Sequence, residues 1–87
     1  MDLLADILSI PDSYSQGMYR GRRYGISRIT FNQGQSFKIY AEELGGNDVV
    51  SLNFYILKQE ILRPCEMPVD KVVDFLRKVV ILNDKDE

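Results

Sequence analysis

At 87 residues, 45% hydrophobic and 28% charged, the chain has the size and composition of one folded domain, with a formal net charge of −2. It contains no histidine and one cysteine, Cys65. Those counts exclude an internal disulfide framework, a cysteine-based zinc site and any chemistry that depends on an imidazole. No apolar run approaches the roughly 20 residues that span a bilayer. The first residues carry Asp2 and Asp6 rather than a basic leader. The sequence therefore reads as a single cytoplasmic domain over 1–87 with no membrane partner and a charged tail, 83–87, that frays.

In chain order, Asp2 is placed to cap a first helix over 3–10, with Leu3, Leu4, Ile7 and Leu8 as its apolar stripe. Pro11 ends it, because the residue before a proline is driven out of the helical region. Such a stripe either covers a sheet or docks on a second protomer. Residues 13–25 come next, with Gly17, Gly21 and Gly25 at every fourth position among tyrosines and arginines. The glycines suggest a loop that leads into the first strand.

A β-meander is expected over 24–57. Its strands span 24–31, 36–42 and 49–57, separated by the turns Asn32-Gln33-Gly34-Gln35 and Gly45-Gly46-Asn47-Asp48. In the third strand Val50, Leu52, Phe54 and Ile56 alternate with Ser51, Asn53 and Tyr55; in the second, Phe37, Ile39 and Ala41 alternate with Lys38, Tyr40 and Glu42. This is the pattern of half-buried antiparallel strands. The first strand is less regular, since Ile26 opposes Ile29 and Phe31, and an edge position is expected for it. A short fourth strand over 60–63 would stop at Pro64.

Pro68 suits the first turn of a second helix, and Asp70 adds negative charge near its N-terminus. Val69, Val72, Val73, Leu76, Val79 and Val80 recur at helical spacing. Valine is a mediocre helix former, so this helix depends on packing its apolar face; its end, 79–82, can equally finish extended. The fold expected is α+β: a three- to four-stranded antiparallel β-meander flanked by an N-terminal and a C-terminal helix, both on its apolar face.

Three constellations bear on function. The first is basic and aromatic: five cations and no acid lie between Asp12 and Glu42. Tyr19, Arg20, Arg22, Arg23, Tyr24, Arg28, Lys38 and Tyr40 would form one surface on the sheet face opposite Phe37 and Ile39. Arginines neutralise phosphates and tyrosines stack on unpaired bases, so single-stranded nucleic acid is one candidate partner and an acidic protein another. The plainer reading is a solvated face whose arginines pair with the acids of the C-terminal half. The second is Cys65, beside Arg63 and before a helix N-terminus, either a small half-buried thiol or the nucleophile of a thiol-dependent enzyme. The third is Glu42, Glu43 and Asp48 around a glycine turn, where no cation-binding spacing is present and solvation of the turn is the simpler role.

The sequence thus points to a non-enzymatic binding or interaction module without a cofactor. Self-association through a sheet edge or a helix face is a candidate, and single-stranded nucleic-acid binding is the alternative function.

Overall fold

The computed structural model describes residues 2–82. The chain runs α1 (Leu3–Leu8), β1 (Ser13–Tyr19), β2 (Arg22–Phe31), β3 (Ser36–Glu43), β4 (Val49–Ile56), β5 (Glu60–Pro64), α2 (Val69–Lys78) and β6 (Val80–Ile81). All strand pairings are antiparallel, and the strands lie in the order β5-β4-β3-β2-β1-β6. The class is α+β with an antiparallel sheet, as expected, but the sheet has six strands rather than three or four. The tail expected to fray, 83–87, lies outside the described residues.

The two extra strands have separate causes. The stretch 13–25, expected to be a loop, is a β-hairpin. Tyr19 pairs with Arg22, leaving Arg20 and Gly21 as a two-residue turn with φ of 51° and 75°. Positive φ at both central residues matches the right-handed twist of the flanking strands. Asn-Gly usually marks this turn; here an arginine precedes the glycine, and the signal is masked. The alternation of β1 is also masked, because its inward residues below Tyr19 are Ser15 and Gly17 rather than large apolar ones.

The last strand, β6, is the extended ending that 79–82 allowed. Gly17 pairs with Ile81 and Met18 with Val80, and the Leu82 N–H donates to the Gln16 carbonyl at 2.8 Å. Gly17 makes this approach feasible. A Cβ there would stand 2.9 Å from Val79 Cγ2, 3.0 Å from Ile26 Cδ1 and 3.1 Å from the Val80 carbonyl.

With β1 in place, β2 is not an edge. It pairs with β1 on one side and β3 on the other, and its inward set is Tyr24, Ile26 and Arg28. Ile29 and Phe31 consequently face outward and stay exposed.

Both helices pack on one face of the sheet. The core joins Ile7 and Ile10 near α1 to Ile26, Phe37, Ile39, Ala41, Val50, Leu52 and Phe54 from the strands, and to Val72, Phe75 and Leu76 from α2. Burying each large apolar side chain contributes about 1.5–3 kcal/mol. The α2 stripe differs from the one read in the sequence: Val69 and Val80 are exposed, and Phe75 fills the centre. Asp2 caps α1 as expected, its carboxylate accepting from the Ala5 N–H at 3.2 Å. α1 ends at Leu8, two residues earlier than the sequence suggests, and Ile10 turns inward to the core.

No described element covers the opposite face of the sheet. It is the outer layer of a two-layer molecule.

Candidate functional site

The eight basic and aromatic residues do not share one surface. Inward and outward residues alternate along β1 and β2, and the hairpin register sends Tyr19 and Tyr24 into the core, at 5% and 4% exposure. Their rings meet Phe75 of α2 edge-to-face, at centroid distances of 5.0 and 5.5 Å. Arg20, Arg22 and Arg28 belong to the helix side as well. Only Arg23, Lys38 and Tyr40 reach the outer face.

On the helix side, the hydroxyls of Tyr19 and Tyr24 and the cations Arg20, Arg22, Lys71 and Lys78 are tied to carboxylates. The Tyr19 hydroxyl donates to Asp74 Oδ2, which also accepts from Arg20 Nη2 at 2.8 Å; Lys78 holds the other oxygen at 2.8 Å. The Arg20 guanidinium also lies 5.5 Å from the Tyr19 ring centroid. The Tyr24 hydroxyl donates to Asp48 Oδ2 at 2.7 Å, and Lys71 donates to Asp48 Oδ1. Arg22 pairs with Glu43 at 2.7 Å, and the Asp48 N–H donates to the same carboxylate at 3.3 Å. Tyr19, Arg20, Tyr24, Asp48, Lys71 and Asp74, with Asp70, line a polar cleft of about 470 Å³ beside α2.

The electrostatics of the cleft follow from these bonds. Burial raises the Tyr24 hydroxyl above the usual tyrosine range, and donation to Asp48 raises it further. Tyr19 rises for the same two reasons, with Asp74 as its acceptor. For Asp48, burial works against ionisation, but the bonds from Lys71 and Tyr24 outweigh it and lower the carboxyl below its ordinary range. Asp74 is held lower by Lys78, Tyr19 and Arg20. The paired charges of Asp48 and Asp74 are compensated, and their bonds latch α2 to the hairpin and to the β3–β4 turn. Among the described residues, no three carboxylates or thiols come together in a metal-binding group. Of the acidic set, Glu43 and Asp48 are spent on this network and Glu42 faces outward.

Arg28 is a separate case. Its side chain is 11% exposed, lies over the Phe37 ring at 5.5 Å and approaches Asp12 to 4.0 Å. Its Nε and Nη1 atoms have no hydrogen-bond partner among the described groups, and neither does the nearby Ser15 Oγ.

The outer face has a different character. Cross-strand register places Tyr14, Ser27, Tyr40 and Ser51 in one row across β1 to β4. Ile29, Lys38, Asn53 and Arg63 form the next row, and Phe31, Ser36, Tyr55 and Ile61 the one beyond. Strand spacing separates Tyr14 from Tyr40 by about 10 Å, and the two aromatic rows by about 13 Å. Tyr14, Ile29, Phe31 and Tyr40 are exposed by 59%, 55%, 39% and 40%, far above what a covered sheet face shows. Tyr40 is flanked across the strands by Ser27 and Ser51, neither of which carries a large side chain. The Tyr14 ring lies across Gly25, where a Cβ would come within 2.6 Å of its hydroxyl oxygen. Gln16 donates to that oxygen at 3.3 Å and accepts from Arg23 at 2.9 Å, holding Tyr14 at the end of the row.

Arg23, Lys38 and Arg63 have no ion-pair partner among the described residues, and Glu42 is the one acid that the strands direct to this side. Sequence reasoning missed Tyr14, Phe31, Tyr55 and Arg63. Tyr55 and Arg63 were legible from the strand alternation; Tyr14 and Phe31 were not, because they depend on the hairpin register. Cys65 follows β5, half-buried, with the Asn53 amide donating to its sulfur at 3.6 Å.

No described helix is long and apolar enough to cross a membrane. No protein-family model, curated protein or solved structure matches the chain.

Proposed function

We infer that the protein is a non-enzymatic binding module of the cytoplasm whose contact surface is the open face of its sheet. The observation that carries this reading is the exposure of Tyr14, Ile29, Phe31 and Tyr40 on one uncovered layer. Contiguous exposed apolar surface rimmed by polar groups marks interaction sites. The strand edges support a partner less well. β6 offers two residues, and β5 ends in Pro64, which has no N–H to donate. The helix stripes are largely consumed by the core. Catalysis finds little support in a chain without histidine, where two of the three acids of the cleft, Asp48 and Asp74, are already paired with Lys71, Arg20 and Lys78.

The test is site-specific photo-crosslinking in the native cell extract. A benzophenone amino acid replaces Tyr40 or Tyr14 on the outer face, and Leu8 or Val69 on the helix side, all of them exposed. Discrete adducts from the first pair and none from the second are expected. Adducts confined to the helix-side positions, or none at all, would reject the open face as the contact surface.

A further inference from the structure

We propose that the occupant of the open face is single-stranded nucleic acid, laid across β1 to β5 with its bases on Tyr40, Tyr55, Phe31 and Tyr14 and its phosphates along the row of Lys38 and Arg63. The inference rests on the open face being the contact surface and goes beyond it by naming the ligand class.

Charge separation is the first argument. The chain carries a net charge of −2, yet its strands direct Arg23, Lys38 and Arg63 to this face against Glu42 alone. On the helix side Arg20, Arg22, Lys71 and Lys78 each meet a carboxylate within 2.8 Å, and Arg77 is the exposed α2 cation without an ion pair among the described residues. Cations left without an acid on a surface rich in rings suit a partner that is both anionic and aromatic. A second copy of the chain docked face to face would set three cations against three, so the face opposes its own duplication.

Ring placement is the second argument. Stacking needs a ring face that no neighbouring side chain occupies. Tyr40 sits between Ser27 and Ser51, and buried Ser36 separates Phe31 from Tyr55. Ser36 and Ser51 are themselves buried, so a base would meet the exposed rings of Tyr14, Phe31 and Tyr40 from above rather than enter a gap beside them. The cationic row lies between the two aromatic rows, where a backbone linking bases on either side would pass. A broad sheet without a projecting helix or ribbon has nothing to enter a duplex groove, whereas splayed single strands expose the base faces that rings can take.

The experiment is anisotropy of labelled 12-nucleotide oligo(dT) and oligo(U), and of a DNA duplex of equal length, at 50 and 200 mM salt. If Arg23, Lys38 and Arg63 each neutralise one phosphate, single-strand affinity falls about 15- to 20-fold between those salt concentrations. Lys38→Glu lowers affinity and flattens the salt dependence; Arg77→Glu, an equal charge change on α2, does neither. Tyr40→Ser, with an unchanged melting temperature, weakens binding roughly 5- to 150-fold through the loss of one stacked base. The idea is overturned by absence of single-strand binding at 50 mM salt, by duplex affinity equal to single-strand affinity, or by equal losses in Lys38→Glu and Arg77→Glu. Protein adducts at position 40 in the crosslinking test, together with no oligonucleotide binding, would overturn the ligand class and leave the binding-module reading standing.

Discussion

Removing one oxygen atom at Tyr24 tests how α2 is fastened to the sheet. In Tyr24→Phe the ring keeps its edge-to-face contacts with Phe75 and Tyr19, at 5.5 and 5.7 Å, and loses only its 2.7 Å hydrogen bond to Asp48. A hydrogen bond to a charged acceptor contributes about 1.5–3 kcal/mol. Asp48 retains Lys71 on its other oxygen, and these two side chains are 32% and 35% exposed, so water reaches the carboxylate and it is not stranded. The cost therefore falls at or just below the lower end of that range, at about 1–1.5 kcal/mol. With an unfolding entropy of about 2.1 cal/mol/K per residue, that is a fall of roughly 5–8 °C in melting temperature at pH 7.

The pH dependence fixes the sign. The Asp48 carboxyl is lowered in the folded protein, so its stabilisation is complete above the unfolded value of about 3.9 and disappears as pH falls through the folded one. The gap between wild type and Tyr24→Phe should thus narrow below about pH 4. Tyr24 is raised, so its contribution is complete below about pH 10 and is lost as pH rises through the folded value. Thermal denaturation followed by circular dichroism from pH 2.5 to 8 reads the acid limb. Equal melting temperatures at pH 7, or a gap that stays constant or widens in acid, would refute the role assigned to the Tyr24–Asp48 bond.

Two further substitutions probe the sheet. Gly17→Ala sets a Cβ 3.1 Å from the backbone carbonyl of Val80, and overpacking of this kind costs about 1–3 kcal/mol. Hydrogen exchange should show the Leu82 amide, bonded to Gln16, opening faster than amides in the β3–β4 ladder, and unaltered exchange there would mean β6 is not seated by Gly17. Arg28→Met removes a nearly buried guanidinium whose Nε and Nη1 have no hydrogen-bond partner among the described groups, while keeping an apolar stem over Phe37. Urea denaturation should find stability unchanged or raised by up to about 2 kcal/mol, and a loss above about 1 kcal/mol would show that the guanidinium contributes more than its contacts suggest.

The sequence by itself determined the class of the fold and its strongest elements. Alternation in β3 and β4 is regular because both strands have one face in the core and one outside it. Proline and glycine placed the β2–β3 and β3–β4 turns, and the helix boundaries to within two residues, through local backbone sterics, which need no distant partner. The β1–β2 hairpin was different. Its inward face is built from Ser15, Gly17, Tyr19, Tyr24, Ile26 and Arg28, a mixture without a clear apolar period. Only pairing against β3 and cover from α2 make that face inward. The same pairing sent Tyr19 and Tyr24 into the core, where their hydroxyls found Asp74 and Asp48, both remote in sequence. It also turned Tyr14 and Phe31 outward, beside Tyr40 and Lys38. A one-residue slip in a strand exchanges its two faces, and local composition cannot choose between two registers of similar hydrophobicity. The tertiary structure made that choice, by burying the register that fits Phe75 and leaving the other set of aromatic residues on the open sheet.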